Sequence, residues 1–230
     1  MTPHILFEDN HLMVVEKPIN IPVQEDESRD PDLLSELKIF IKERDRKPGN
    51  VFLGLVHRLD RPVGGVMVFA KTSKAAARLS EQIRNRTFEK IYLAIVHEIP
   101  TIKQGRLVHF LEKNERTNTV YVTEEANSAA KKAILNYELI ETKDELSLVK
   151  IQLETGRSHQ IRVQFTEIGH PLWGDQKYGK NLNKPGQQLA LWATELSFEH
   201  PTKKEELAFF SNPPKIFPWN LFPNQKTASF

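Results

Sequence analysis

Residues 57–65 read His-Arg-Leu-Asp-Arg-Pro-Val-Gly-Gly, and they hold a single carboxylate, Asp60, among His57, Arg58 and Arg61. Cationic neighbours favour the ionised acid, which suits Asp60 to act as a nucleophile or to stabilise positive charge at neutral pH. On spacing alone the ordinary alternative stands beside this one: a solvated turn carrying a surface ion pair. A second cluster lies in the other half of the chain, Glu154-Thr-Gly-Arg-Ser-His-Gln-Ile-Arg162, where Arg157, His159, Gln160 and Arg162 crowd around a glycine.

Together the two segments resemble the RluA family of pseudouridine synthases, whose motifs read HRLDxxTSG and TGRxHQIR. Lys90-Ile-Tyr92 is similar to that family's K-x-Y motif, His170 to Gly179 to its HP-x-x-GD-x-x-YG segment, and Phe198-Glu-His-Pro201 to its closing F-x-HP. The opening Ile5-Leu-Phe-Glu-Asp and Val14-Val-Glu-Lys-Pro18 also match the usual start of the catalytic domain, so the similar segments run in order from residue 5 to 201. Two positions depart from the pattern. Val63-Gly64-Gly65 replaces Thr-Ser-Gly, removing a hydroxyl pair after the catalytic turn, and Trp192 stands where many relatives carry histidine.

The resemblance implies an enzyme that isomerises uridine in RNA. The N1–C1′ bond breaks, the uracil turns, and C5 takes the sugar, without redox change or net hydrolysis. No cofactor is therefore expected, and residues 48–54 carry neither a G-x-G-x-x-G nor a G-K-[ST] signature. Asp60 is the expected catalyst, with Arg157 against it and Tyr92 as platform for the flipped base and candidate for proton transfer. The alternative for Tyr92 is a buried strand tyrosine. Arg58 and Arg61 are expected at the flanking phosphates or in the space the base vacates. Lys90, His159, Gln160 and Arg162 are expected either to contact the RNA backbone or to bond within the protein, and His57 and Gly65 to brace the loop.

Two rivals use the same residues. A retaining glycosidase would need a second carboxylate about 5 Å from the first, and Glu154 is the only acid in the second motif. An RNA-binding protein that kept the fold and lost activity would explain the altered Val63-Gly64-Gly65.

These residues must be held by a strand-rich chain. Alternating or continuous apolar runs predict strands at residues 5–8, 12–17, 51–57, 65–71, 90–97, 106–111, 119–123, 133–140, 146–153 and 188–198. Helical spacing predicts helices over 31–46, with Asp30 as cap, and over 74–86, capped by Thr72 or Ser73. Ser158 is expected to cap a short helix with Ile161, Phe165 and Ile168 inward, placing His159 and Arg162 on one face. The fold class is α+β with a mixed, largely antiparallel sheet. The resemblance implies the pseudouridine synthase fold with helices flanking the sheet and a catalytic cleft across it. One catalytic domain is expected over residues 1–230, with 202–230 pinned onto it by Phe217, Trp219 and Phe222. Asp60 falls too early to leave room for the family's frequent N-terminal S4 module.

Composition narrows the class. There are no cysteines, hence no disulfides or thiolate zinc sites, and the eight histidines show no H-x-x-x-H or H-E-x-x-H spacing. Neither an export signal nor a membrane span is evident, so a cytoplasmic location is expected. The formal charge of +2 says little, but residues 1–50 hold seven Lys/Arg against eleven Asp/Glu, whereas residues 71–116 hold ten against five. A basic middle offers phosphate a face. The expected partner is ribosomal RNA or tRNA, read as a stem-loop by a monomer.

Overall fold

In the computed structural model the described residues are 2–223. The backbone divides into two compact units, residues 1–90 with 193–211, and residues 91–192 with the segment from 212 onward.

Unit 1 is built on strands β1 (His4–Glu8), β2 (Leu12–Lys17), β4 (Gly64–Ala70) and β10 (Leu191–Glu199), adjacent in that order. The two-residue β3 (Gly54–Leu55) pairs with β4, and β11 (Glu206–Phe210) pairs with β10. The pairs β1·β2, β2·β4, β3·β4 and β10·β11 are antiparallel. Every residue of β4 is buried, as its continuous apolar run dictates for a strand covered on both faces. Helix α1 (Leu33–Arg44) buries Leu33, Leu37 and Ile41 at helical spacing. Helix α2 (Ser73–Asn85) buries Ala75 and Leu79 in a cluster with Leu12, Val14, Val66, Val68, Phe88 and Phe198. Phe88 and Phe198 stack at 5.1 Å.

Unit 2 carries the meander. Strands β5 (Glu89–His97), β9 (Leu146–Leu153), β8 (Lys131–Lys143), β6 (Gln104–Asn114) and β7 (Thr119–Thr123) lie in that order, each pair antiparallel. Ile91 to Val96 are all buried, so β5 is an inner strand as its two apolar faces require. Helix α3 (Gln160–Glu167) buries Ile161, Val163 and Phe165, and Phe165 meets the Tyr137 ring edge-on at 5.4 Å. Of the three residues expected to pin the tail, Trp219 and Phe222 are buried at 3% and 0% exposure, whereas Phe217 is exposed; the expected continuation over 224–230 lies outside the described residues.

Four local expectations are corrected. The strand over 51–57 shrinks to Gly54–Leu55, because only these two residues find partners on β4. Asp32, not Asp30, caps α1, its carboxylate accepting the Ser35 N–H at 3.0 Å. Ser158 does not cap α3; His159 occupies that position in the left-handed region (φ 52°) with no side-chain cap. The strand over 188–198 is not the last, since β11 follows it. Thr72 caps α2 as expected, accepting from Ala75 at 3.1 Å.

Candidate active site

In unit 1 the segment 57–65 leads into β4, and its turn closes by a hydrogen bond from the Val63 N–H to the Asp60 carbonyl at 2.9 Å. Asp60 is half-buried on this turn. Beneath it lies Lys17, the last residue of β2, at 0% exposure. Its ammonium donates to the carbonyls of Pro18 (2.9 Å), Arg61 (3.1 Å) and Val63 (2.7 Å), one N–H for each acceptor. Burial pushes the Lys17 pKa down to about 7; attraction to Asp60 works against that fall and repulsion from Arg61 adds to it. The Lys17 side chain thus ties the Arg61 and Val63 carbonyls of the turn that presents the aspartate to the end of β2. The sequence pointed to the Val14–Pro18 segment without giving Lys17 a role. An apolar strand ending in lysine just before a proline was the available signal.

The flanking residues divide. His57 Nε2 accepts the Val68 N–H at 3.1 Å, its ring meets Phe88 edge-on at 5.5 Å, and its buried Nδ1 has no partner among the described residues. Burial first, and then the charge of Lys90, push its pKa down to about 3, so the ring is neutral at pH 7. Burial likewise lowers the pKa of Lys90. Arg61 is an exposed residue held by Asp30, by Ser28 Oγ at 3.1 Å and by the Asn20 carbonyl at 3.2 Å. These bonds engage the guanidinium that was expected at the flanking phosphates or in the space the base vacates. Arg58 is exposed and makes no such bond among the described residues.

Gly65 has φ +119°, and a Cβ there would sit 2.1 Å from the Ala193 carbonyl oxygen on β10. Only glycine fits. Val63, in place of the family's threonine, is 2% exposed and lends its carbonyl to Lys17. Its side chain has become part of the apolar interior.

In unit 2, Tyr92 is 7% exposed on β5 opposite Ile151. The second motif is a hydrogen-bonded knot. Gln160 Oε1 accepts from Thr155 Oγ1 (2.8 Å) and the Arg157 N–H (3.0 Å), while its Nε2 donates to the Ile134 carbonyl (3.0 Å). Arg162 forms a two-pronged pair with Asp175 at 2.7 and 2.8 Å, at 8% and 0% side-chain exposure, and its guanidinium lies 5.1 Å from the Tyr178 ring. His159 Nδ1 meets the Tyr178 hydroxyl at 2.6 Å, and that hydroxyl accepts the Val120 N–H at 2.8 Å. Of the two roles open to Gln160 and Arg162, the structure therefore supports bonding within the protein, and Asp175 is the partner that sequence reasoning did not name. Arg157 is exposed, with Nε on the Lys132 carbonyl at 3.1 Å. Glu154, the second acid of the rival hydrolase, is paired with Arg106 at 2.8 and 2.9 Å and with Asn136 at 3.1 Å. Its carboxylate is thus engaged by partners within the protein.

Among the described residues no three His, Asp or Glu side chains come together as a metal site, and no helix is long and apolar enough to cross a membrane.

Residues 11–167 match the model of the RNA pseudouridylate synthase family, and the chain belongs to that family of isomerases, with its α+β fold. Ribosomal large subunit pseudouridine synthase D of Zymomonas mobilis is 33% identical over 221 residues, covering 92% of this chain and 69% of the relative. Ribosomal large subunit pseudouridine synthase C of Haemophilus influenzae is 36% identical over 216 residues, covering 89% and 63%. Among solved structures, human RNA pseudouridylate synthase domain containing 4 superposes with a TM-score of 0.76 at 25% identity, over 92% of this chain and 89% of that one.

Proposed function

We propose that the chain converts one uridine to pseudouridine at a defined position in structured RNA, with ribosomal RNA as the first candidate and tRNA the second. The observation that carries this reading is Asp60, a half-buried carboxylate on a turn locked from below by Lys17. Glycosidic cleavage needs a carboxylate at C1′ or at the uracil ring, either as nucleophile or to stabilise the sugar cation as the base departs. Asp60 supplies it. Tyr92 supports the flipped base and moves a proton, Arg157 orients the aspartate, and Lys90 and the exposed Arg58 meet the RNA backbone. The target must leave its stack, at a cost of about a few kcal/mol that a loop or bulge reduces. The two large-subunit names among the relatives favour ribosomal RNA. The enzyme acts as a cytoplasmic monomer without a cofactor.

A second reading, an RNA binder without turnover, is favoured by one feature, the loss of two hydroxyls at Val63-Gly64. Carbodiimide-dependent reverse-transcription stops on total RNA distinguish the two. A stop absent from deletion cells should return with the wild type and not with Asp60→Asn, which should lower single-turnover rates at least about 100-fold. A deletion that leaves every stop unchanged favours the binder.

A further inference from the structure

We propose that an aromatic corner of unit 2, separate from the residues assigned to uridine chemistry, binds a small organic ammonium ion of the polyamine type. A concavity of about 300 Å³ opens there. Its wall is a set of rings. His97 stacks on Trp173 at 5.3 Å and 29°, and Phe217 stands at 80° to Trp173 at 5.1 Å, making a two-walled corner. The His97 wall is held by hydrogen bonds. His97 Nε2 donates to Asn183 Oδ1 at 2.8 Å, and the same oxygen accepts the Gly174 N–H at 2.7 Å. Phe217 leaves 53% of its surface to solvent.

The rest of the lining decides the ligand. Glu98, Asp144 and Glu145 border the same space, and the Glu98 N–H bonds to the Glu145 carbonyl at 2.7 Å, holding the two turns together. None of the three carboxylates has an ion-pair partner among the described residues. Rings present a negative face to cations, and an aromatic corner with acids at its rim is the arrangement that recognises alkylammonium groups. Three negative charges repel phosphate, so RNA is a poor occupant. Leu146 and Leu182 add apolar surface for the methylenes between amines. The volume lies at the lower limit for small-molecule sites, which commits the corner to a free cation rather than a polypeptide.

Calorimetric titration of spermidine into the intact chain, at fixed ionic strength and without RNA, tests this. One saturable site is expected. It should weaken about tenfold or more in the double variant Asp144→Asn/Glu145→Gln, and similarly in Phe217→Leu, which removes the ring but keeps apolar bulk. Should Phe217→Leu lower the melting temperature, the double variant on its exposed turn carries the test. The proposal is overturned by any of three results: no saturation below about 10 mM, wild-type affinity retained in both variants, or full competition by sodium at matched ionic strength. A lysine tripeptide that binds where spermidine does not would also overturn it, and would make the corner a docking point for a protein's lysine.

Discussion

At the residue scale, the turn that presents Asp60 is tied to the end of β2 by one buried side chain. Lys17 satisfies three carbonyls inside the protein, two of them 44 and 46 residues away along the chain. Lys17→Met keeps the length and apolar stem but leaves those carbonyls bare, so urea unfolding should lose about 1–3 kcal/mol. Asp60→Asn keeps the shape of the turn and should leave the fold intact while turnover falls; a melting curve beside the kinetic assay separates the two effects. The turn carrying Asp60 was legible as a segment because the bond that closes it, from the Val63 N–H to the Asp60 carbonyl, joins near neighbours in sequence. Lys17 was not, because its partners are backbone groups brought near by folding, and carbonyls leave no mark in a sequence. Gln160 and Arg162 show the same limit, since polar residues in a motif look alike whether they face a substrate or their own fold. Their partners Thr155 and Asp175 had to be seen.

At the element scale, strands with apolar runs, such as β2, β4, β5 and β9, were legible within a residue or two, because burial on both faces leaves a continuous signal. β11 was missed because its pattern, exposed and half-exposed residues in alternation, is that of an edge, and the charged residues before it and the prolines after it resemble a tail. The short β3 carries too few residues for any periodicity. One close contact between elements is testable directly. Gly65 on β4 lies against the Ala193 backbone of β10, so Gly65→Ala must push the strands apart or strain a positive φ. The expected loss is about 3 kcal/mol or more, with soluble yield falling in parallel, measured by chemical denaturation. The Val63-Gly64-Gly65 sequence thus has two meanings: Gly65 answers to the neighbouring strand, and Val63 to the apolar interior.

At the scale of the whole molecule, unit 1 gathers the groups that make the protein sensitive to acid. His57 resists protonation in the folded state down to about pH 3, whereas an unfolded histidine takes up a proton near 6.5. The unfolded chain therefore binds more protons between those values, and stability falls as pH falls through that window, by up to about 1.4 kcal/mol per unit. Further down, Glu8 and Asp9 add to the loss. Hydrogen bonding from Arg44 lowers the Glu8 pKa, and backbone N–H groups of His11 and Leu12 lower that of Asp9 against the cost of burial. Melting temperatures measured from pH 7.5 to 4.5 should decline throughout. In His57→Gln, the slope between pH 6.5 and 5 should be shallower by about one proton.

The divided course of unit 1 bears on how the protein is made. Its sheet takes β1, β2 and β4 from the first seventy residues, but β10 begins only at Leu191. During synthesis, roughly 120 further residues must be added before the open side of β4 meets its neighbour, a wait of about 6–24 s at typical elongation rates. Through that interval a fully apolar strand presents unpaired backbone groups, the surface on which nascent chains associate with one another. Conditions that slow translation between codons 71 and 191 should therefore lower the yield of soluble protein more than equal slowing after codon 200.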